Sequence, residues 1–413
     1  MRVLVSAGEA SGEQYGALLI SALSKRLPRL EAFGVGGQRM RQAGCQIVVD
    51  ASEIAVVGLT EVVSSLPRIW RRFHRLLEEV DRDRPDVAVL IDFPDFNLRL
   101  AKQLHRRGIP VVYFVSPQVW AWRSGRVRQI RRWIKKMLVI FPFEAEWYRQ
   151  RGVEAEYVGH PLADTMAQRA TLASTRQAFA AQHRLDPLKP WIALLPGSRR
   201  KEVAMIGPCL GAVATHLGDQ FEFVLPVAPT LAADEITPLL SAAVLPRSGQ
   251  SASEPAGRGT AAPPRIVLTR DVSAALQHAR AAVIASGTAT VEAALAAIPF
   301  VMVYRVAASS YLLGRRMVRV PFYAMPNLIA GRQVVPELVQ HDFTVERVLG
   351  ELRKIITDGP ERQKMLSALE EVRYKLRWPA SISGEASSAA ERAAEAVLQV
   401  TSPLRRDQAS AHP

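Results

Sequence analysis

Cysteine is scarce in this sequence, and long apolar runs are missing. The 413 residues contain two cysteines, Cys45 and Cys209, and neither belongs to a Cys-x-x-Cys pair or a Cys/His cluster. This pattern excludes a disulfide framework and a zinc site of the usual spacing, and it favours a reducing compartment. No run approaches the roughly 20 apolar residues that cross a bilayer, and the amino terminus lacks the apolar core of a signal peptide. We therefore expect a cytoplasmic protein.

Two common nucleotide-binding motifs are also missing. The glycines of "SAGEASGEQYG" and "GVGG" do not have the Gly-x-Gly-x-x-Gly spacing, and no Walker lysine follows them. Positive charge, by contrast, is in excess, because 53 Lys and Arg face 39 Asp and Glu to give a formal net charge of +14. This excess predicts an anionic partner, which could be a nucleic acid, a membrane surface or a phosphorylated substrate.

Short apolar runs rich in β-branched residues alternate with longer helical patterns along the chain. This alternation predicts α/β domains in which helices cover a parallel sheet. The runs "VAVLI" at 87–91 and "WIALL" at 191–195 are typical buried strands of two successive series. Two series of similar size predict two Rossmann-like, doubly wound domains facing each other across a cleft. The predicted segments are a first domain at 1–170, a second at 185–345, carboxy-terminal helices at 346–400, a flexible insertion at 244–264 and a disordered tail at 401–413.

Two turns that follow predicted strands of the first half carry acidic groups. In "VLIDFPDFN", Asp92 directly follows a strand and Asp95 follows Pro94. Partly desolvated carboxylates at the end of a strand can act as general bases, because burial raises their pKa. Alternatively, Asp95 and Asn97 could cap the next helix. The turn "SAGEASGEQYG" could likewise be a βα connection without a ligand.

Two turns in the second half have the chemistry of a phosphate site. If a helix begins near Ser198 in "LLPGSRR", its free N–H groups and dipole favour a phosphate, with Arg199 as a charge partner. In "SGTATVE", Glu292 could accept two hydrogen bonds from a ribose diol. The alternatives are a serine cap beside a solvated arginine and a glutamate that complements the helix dipole. Two such turns in one half favour a nucleotide.

The segment "LPRIWRRFHRLLEEV" at 66–80 has the period of an amphipathic helix with basic residues beside its apolar stripe. Such a helix can lie on an anionic membrane leaflet, and the seven Arg and Lys residues between 123 and 136 support this interpretation. The alternative is that the stripe packs onto the sheet of its own domain. The residues assigned to the membrane interface are Leu66, Ile69, Trp70, Arg71, Arg72 and Phe73.

The turns occur together with further motifs in one order. Between residues 2 and 341 the chain carries "GEASGE", "GVGGQRM", "VVGLTEV", "DFPDFN", "VSPQVWAWR", "PFE", "GHPLAD", "LPGSR", "SGTATVE", "YR", "PNLIAG" and "VPELVQ". This set resembles the lipid-A-disaccharide synthase family, and "SPQVWAWR" together with "GHPLAD" and "LPGSR" is highly specific. The chain departs from the family at Glu13, where Asp is usual, and in the apparent insertion at 244–264.

The resemblance implies a GT-B fold and an inverting glycosyltransferase that needs no metal or cofactor. The enzyme would transfer 2,3-diacylglucosamine from UDP-2,3-diacylglucosamine to the 6-hydroxyl of 2,3-diacylglucosamine 1-phosphate, giving a β-1,6-linked disaccharide 1-phosphate and UDP. The first domain would bind the acceptor and the second the donor, and the last helices would cross back to the first. Acylated substrates imply peripheral association with the anionic inner leaflet of the cytoplasmic membrane of a Gram-negative bacterium.

The same resemblance assigns roles to residues of the turns. Inversion by direct displacement needs one carboxylate as base, and Asp92 is expected to fill this role, with Asp95 or Glu9 as stand-ins. The residues expected to bind the UDP donor are Gly197, Ser198, Arg199, Ser286, Gly287, Thr288, Glu292 and Asn327. Those expected on the acceptor side are Ser11, Gly12 and Asn97.

Three other functions remain compatible with parts of the sequence. A UDP-sugar epimerase of the same fold would use the same nucleotide turns, and a glycosyltransferase acting on polyprenyl-linked sugars differs only in its substrate. A basic nucleic-acid-binding protein is disfavoured, because no recognisable binding module is present and the acidic turns would repel a phosphate backbone. The sequence leaves the acyl-chain preference and the oligomeric state open, with a homodimer as one option.

Overall fold

A computed structural model describes residues 1–54, 59–172, 174–241, 265–307, 311, 318, 320–377 and 388–409. The predicted insertion at 244–264 lies outside these described residues. The chain forms two compact units, of which the first comprises Met1–Asp164 and Leu376–Pro413 and the second comprises Thr165–Lys375. The chain therefore leaves the first unit once and returns to it near its carboxyl end.

The first unit is built on a parallel sheet with seven strands among the described residues. These strands are β1 (Arg2–Ala7), β2 (Glu31–Gly36), β3 (Cys45–Asp50), β4 (Val87–Ile91), β5 (Val111–Phe114), β6 (Lys136–Val139) and β7 (Ala155–Tyr157). They lie in the order β3-β2-β1-β4-β5-β6-β7. All five residues of β4 are 0% exposed, as expected for an apolar strand at the centre of a sheet that helices cover on both faces.

Helices connect the strands of the first unit and cover its sheet. They are α1 (Ala10–Arg26), α2 (Gln38–Gln42), α3 (Leu59–Arg82), α4 (Pro94–Arg106), α5 (Val127–Trp133) and α6 (Pro142–Arg149). Helix α7 (Pro161–Leu172) begins in the first unit and continues into the second. Helix α4 begins with a proline, whose missing N–H costs nothing in the first turn of a helix. This start fixes the turn that follows β4.

The second unit contains a parallel sheet with six strands among the described residues. They are β8 (Trp191–Leu195), β9 (Glu222–Pro226), β10 (Ile266–Thr269), β11 (Ala281–Ala285), β12 (Phe300–Tyr304) and β13 (Glu337–Val339), in the order β10-β9-β8-β11-β12-β13. Its helices are α8 (Arg176–His183), α9 (Arg200–Leu217), α10 (Ala233–Ser241), α11 (Val272–His278), α12 (Ala289–Leu295), α13 (Met325–Ala330), α14 (Val345–Ile356) and α15 (Pro360–Leu376). The predicted doubly wound α/β architecture of both halves is confirmed.

The last helix, α16 (Ala389–Ala409), belongs to the first unit and packs against α1. The backbone N–H of Ala389 donates to Asp164 Oδ2 at 2.7 Å, and Arg392 Nε donates to the carbonyl oxygen of Val158 at 2.8 Å. The helix includes residues 401–409 of the segment that the sequence predicted as a disordered tail. By contrast, α14 packs on the second sheet, so the second unit extends beyond the predicted boundary at 345.

Within the described part of the chain, no helix combines the length and the apolar character that crossing a bilayer requires.

Candidate active site

In each sheet the strand order reverses at one point, and the strands on both sides of it lead into the turns that the sequence predicts as functional. In the first sheet the reversal falls between β1 and β4, which lead into the turns at 8–12 and 92–97. In the second it falls between β8 and β11, which lead into the turns at 196–199 and 286–288. Ligands of open α/β sheets bind in the crevice at such a reversal. The topology thus pairs the four predicted turns, two in each unit.

Asp92 lies in a strained turn between β4 and α4. Asp92 and Phe93 both have left-handed backbone conformations, with φ of 44° and 50°. Such conformations cost on the order of 1–3 kcal/mol each for residues other than glycine and cluster at functional sites. The carbonyl oxygen of Asp92 accepts hydrogen bonds from the Tyr113 hydroxyl at 2.5 Å and from Asn97 Nδ2 at 2.8 Å. These two bonds hold the strained turn in place.

The carboxyl group of Asp92 is largely removed from water. Burial, and to a smaller extent the negative charge of Glu9, raises the pKa of Asp92 from 3.8 to about 6, against the opposing effect of a hydrogen bond from the Phe93 N–H. A carboxylate with a pKa near neutrality is a better general base than an ordinary surface aspartate, because it retains more driving force for taking up a proton.

Asn97 is buried and holds the turn after β4, while its place on the acceptor side stays a prediction. Its exposure is 0%. Its Nδ2 donates to the carbonyl oxygens of Ser6, Ile91 and Asp92, and its Oδ1 accepts from Ser6 Oγ at 2.7 Å. Both sides of the amide are thereby engaged. Asn97 positions Asp92 and cannot contact a substrate without breaking these bonds.

The turn at 8–12 packs against the Asp92 turn. A Cβ atom built on Gly8 would lie 2.3 Å from the Phe93 ring, so only glycine allows the backbone to approach this side chain. Glu9 and Ser11 are exposed at this turn, whereas Gly12 is buried. The predicted residues Glu9 and Asp92 lie close enough for the negative charge of Glu9 to contribute to the raised pKa of Asp92.

Asp95 lies in the first turn of α4, and its side chain is 71% exposed. Its Oδ1 accepts from Arg126 Nη2 at 2.5 Å and lies 3.4 Å from Arg123 Nη1. The sequence did not single out these two arginines for the site. Because the Asp95 carboxylate already pairs with two guanidinium groups, it is less suited than Asp92 to take a proton from a substrate.

An apolar groove with a volume of 870 Å³ lies beside the Asp92 turn, between α3 and α4. Leu66, Ile69, Trp70 and Phe73 of α3 line one side, and Phe93, Phe96, Arg99 and Lys102 line the other. The predicted apolar stripe of α3 has an exposed part and a part that packs against the core. Leu66 and Trp70 are 47% and 62% exposed, whereas Ile69 and Phe73 pack against the buried core. Of the two predicted basic residues, Arg71 is exposed and Arg72 pairs with Glu53 at 2.8 Å.

A buried glutamate, Glu144 of the motif "PFE", anchors the loop after β5. Its Oε1 accepts from Trp120 Nε1 at 2.8 Å and from Ser116 Oγ at 3.1 Å, and its Oε2 accepts from the Phe141 N–H at 3.1 Å. Burial raises the pKa of Glu144 to about 7 in spite of these bonds. The sequence marked Glu144 only as part of a motif, because two of its three hydrogen-bond donors, Ser116 and Trp120, are 28 and 24 residues away in the chain.

In the turn at 196–199, the carboxylate of Glu202 accepts the hydrogen bonds that were predicted to bind a phosphate. Helix α9 begins at Arg200, two residues later than the predicted start near Ser198. Glu202 Oε2 accepts from the N–H groups of Ser198 at 3.0 Å and Arg199 at 3.2 Å, and Glu202 Oε1 lies 3.2 Å from Arg199 Nη1. The left-handed φ of 122° at Gly197 lets the turn close over this carboxylate. The donors that suit an anion are thus present, and a carboxylate of the chain engages them.

The turn at 286–288 is open to solvent at its centre. Gly287 and Thr288 are exposed, and a Cβ atom on Gly287 would meet nothing within 4 Å. Ser286 is half-buried and donates to the carbonyl oxygen of Tyr323 at 3.0 Å. Glu292 lies half-buried one turn into α12.

Asn327 is buried, and its place at the nucleotide end of the site stays a prediction. Its exposure is 0%. Its Nδ2 donates to Val335 O at 2.9 Å and to Glu337 Oε1 at 2.7 Å, and its Oδ1 accepts from the N–H groups of Val334 and Val335. All four hydrogen bonds that an amide can make are therefore used within the protein. Asn327 shapes the loop that leads into β13.

Comparison with known proteins decides the family. A family model described as "Lipid-A-disaccharide synthetase" matches residues 3–393. The lipid-A-disaccharide synthase of Koribacter versatilis is 54% identical over 402 residues, which cover 97% of this chain and 98% of that protein. The chain belongs to the lipid-A-disaccharide synthetase family. The resemblance inferred from the motifs is therefore confirmed, and members of this family are glycosyltransferases.

Solved structures confirm the GT-B fold expected for the lipid-A-disaccharide synthetase family. The UDP-GlcNAc 2-epimerase of Neisseria meningitidis, bound to UDP-GlcNAc, has a TM-score of 0.65 at 11% identity and covers 97% of this chain and 100% of its own. MurG of Acinetobacter baumannii has a TM-score of 0.55 at 12% identity, and the match covers 96% of this chain and 99% of the MurG chain. At these identities the similarity shows the fold alone.

Proposed function

We propose that this chain transfers 2,3-diacylglucosamine from UDP-2,3-diacylglucosamine to the 6-hydroxyl of 2,3-diacylglucosamine 1-phosphate, with inversion. The product is the β-1,6-linked disaccharide 1-phosphate, and UDP leaves. Family membership supports the overall reaction. The observation that carries the mechanism is Asp92, a half-buried carboxylate with a pKa of about 6 that is held in a strained turn beside an apolar groove.

Asp92 acts as the general base in this mechanism. The acceptor 6-hydroxyl oxygen forms a bond to C1 of the donor sugar while the bond from C1 to the β-phosphate oxygen breaks. The hydroxyl proton passes to Asp92, and the bonding electron pair leaves with UDP. Because one displacement takes place at C1, the anomeric configuration inverts.

The two turns of the second unit bind the UDP group. The N–H groups of Ser198 and Arg199 receive the pyrophosphate when Glu202 releases them, and the Arg199 side chain neutralises charge that grows on the β-phosphate. Gly287 and Thr288 offer a second exposed turn, and Glu292 receives the ribose hydroxyls. These roles require no metal, because the anionic groups are matched by backbone donors and a guanidinium.

The reaction is tested by UDP release from purified protein in detergent micelles with the UDP-2,3-diacylglucosamine donor. We expect release that depends on the monophosphorylated acceptor, together with a disaccharide of the stated linkage in the product. Release without an acceptor, or turnover of UDP-N-acetylglucosamine alone, would instead indicate an epimerase or a different transferase.

The pH dependence of the rate tests the charge relation between Asp92 and Glu9. Because the base must be ionised, kcat/KM should fall as the pH drops below about 6. In Glu9→Gln a like charge is removed from Asp92, so the pKa of Asp92 decreases and the acidic limb of the profile moves to lower pH. The plateau near pH 8 should stay within about twofold of the wild type. A collapse of the plateau would make Glu9 the base.

The exposed part of α3 attaches the protein to the membrane from which its lipid substrates come. Leu66 and Trp70 lie at the rim of the groove, and Arg71 adds positive charge beside them. An amphipathic surface of this kind binds anionic bilayers through apolar burial and charge together. The groove itself provides apolar walls for acyl chains close to the base.

Replacing Leu66 and Trp70 with serine should weaken binding to vesicles that contain anionic phospholipid by at least about tenfold. Co-sedimentation with the vesicles measures this effect. The matched control is Leu188→Ser, which removes a leucine that is 93% exposed in the second unit. Equal vesicle binding by all three proteins would mean that the exposed part of α3 is an ordinary surface.

A further inference from the structure

Two arginines converge on one carboxylate beside the groove. Arg126 Nη2 lies 2.5 Å and Arg123 Nη1 3.4 Å from Asp95 Oδ1, and Asp95 lines the groove. One carboxylate carries one negative charge, whereas the two guanidinium groups carry two positive charges. With Asp95 71% exposed and Arg126 only 24% exposed, the carboxylate can move into solvent more easily than the arginine can.

The loop that carries these arginines is held rigidly. The loop starts at Val115, passes through Arg123 and ends in a short helical turn that contains Arg126. Val115 and Arg123 have left-handed backbones, with φ of 63° and 60°. Between them, Ser116 and Trp120 donate to the buried Glu144. Strained conformations persist only where the surroundings enforce them. The hydrogen bonds from Ser116 and Trp120 to Glu144 stabilise these conformations. The position of the loop, and of the arginines on it, therefore does not depend on a ligand.

Further positive charge lies along the same rim. Arg99 and Lys102 follow Asp95 on the exposed face of α4, and both line the groove. The Arg123 guanidinium also lies 4.2 Å from the centre of the Trp122 ring, which restrains its position. Arg99 and Lys102 therefore line the apolar groove beside Asp95, and Arg123 and Arg126 lie next to it through their ion pairs with Asp95. A ligand with a dianionic head and an apolar body would match both features.

We propose that Arg123 and Arg126 bind the 1-phosphate of the acceptor sugar and that the phosphate displaces Asp95 from them. The inference rests on the proposed function, since the acceptor there is a phosphate monoester with acyl chains. Guanidinium groups bind the oxygens of a phosphate dianion through paired hydrogen bonds. The 6-hydroxyl and the 1-phosphate are on different parts of the sugar ring, which agrees with a base at Asp92, before α4, and an anion site at Asp95, in the first turn of α4.

Asp95 acts as a stand-in anion in this arrangement. It keeps the two arginines in position while the site is empty, and it competes with the phosphate for them. Removal of its charge should therefore have the opposite effect to removal of an arginine. In Asp95→Asn the affinity for the phosphorylated acceptor should stay the same or increase, whereas a catalytic base at this position would lead to loss of turnover.

The test compares two acceptors that differ only in the phosphate. Dissociation constants of 2,3-diacylglucosamine 1-phosphate and of 2,3-diacylglucosamine are measured in neutral detergent micelles. The wild type should prefer the phosphorylated compound by about 10- to 100-fold, as expected for hydrogen bonds to a charged group. The double variant Arg123→Ala/Arg126→Ala should lose this preference and keep its affinity for the unphosphorylated compound. Arg149→Ala, which removes an exposed arginine paired with Glu146 on α6, is the matched control and should behave as the wild type.

Several results would overturn the proposal. A wild type without a preference would show that the phosphate is not recognised, and an equal loss for both acceptors would show that the arginines only stabilise the loop. An effect confined to vesicles with anionic phospholipid would assign the arginines to the bilayer surface. Failure of the proposed function has a separate signature, because the protein would then bind neither acceptor and would turn over UDP-N-acetylglucosamine alone.

Discussion

Replacing Asp92 with asparagine should lower kcat by about 10²- to 10⁴-fold, the usual contribution of a general base. The amide has nearly the same shape but cannot accept the hydroxyl proton at neutral pH. The KM for the UDP donor should remain within about twofold, because the base acts on the acceptor. Steady-state kinetics with both substrates varied measures these constants.

The same variant should be more stable than the wild type at pH 7. The pKa of Asp92 is raised from 3.8 to about 6, so the folded protein holds this proton more tightly than the unfolded chain does. The ionised carboxylate therefore destabilises the fold as the pH rises through this range, by up to about 3 kcal/mol. In urea unfolding at pH 7, the free energy of unfolding of Asp92→Asn should exceed that of the wild type. The difference should disappear below about pH 4, where Asp92 of the wild type is protonated in both the folded and the unfolded state. If Asp92→Asn lost both activity and stability, Asp92 would have a structural role and would not be the base.

Replacing Arg199 with alanine should lower kcat/KM for the UDP donor by about 10²-fold, which is the range for removal of one group that stabilises developing negative charge. Arg199 is the last residue of the turn at 196–199 and the N-cap of α9, and its guanidinium pairs with Glu202, the carboxylate that accepts from the N–H groups of the turn. The loss should appear in kcat as well as in KM, because the charge on the β-phosphate grows as the bond breaks.

Arg200→Ala is the control for this prediction. Arg200 is the next residue, is similarly exposed and pairs with Glu235 at 3.3 Å, but it lies inside the helix and outside the turn. Its removal should leave donor kinetics within about twofold. Unaltered kinetics in Arg199→Ala would mean that the turn at 196–199 does not bind the pyrophosphate.

The positions of the four turns could be predicted because their signals are local. A buried strand such as Val87–Ile91 is recognised by its apolar run, and the acidic or glycine-rich residues directly after it must lie at the carboxyl end of the sheet. The pairing of the turns follows from the strand order of a doubly wound sheet. The position of Asp92 directly after β4 could therefore be predicted, whereas the strained backbone at this residue could not.

The environment of the buried amides and carboxylates could not be predicted. The side chains of Asn97 and Asn327 make hydrogen bonds to other segments of the chain, including Ser6 and Val335, and no local sequence pattern indicates these contacts. Glu202 and Glu144 give no separate signal, because an acidic residue in the first turn of a helix is common whatever it contacts. For the same reason the pairing of Arg123 and Arg126 with Asp95, 28 and 31 residues away in sequence, was found only in the folded chain.

The return of α16 to the first unit affects how the chain can fold while it is being synthesised. Asp164 and Val158, at the end of the first sheet, bind residues of a helix that begins 225 residues after Asp164. At the usual translation rates of about 5–20 residues per second, roughly 10–45 seconds separate the two. During this time α1 is on the growing chain without the helix that covers it. The first unit therefore cannot reach its final fold until the residues of α16 have been synthesised, after those of the second unit.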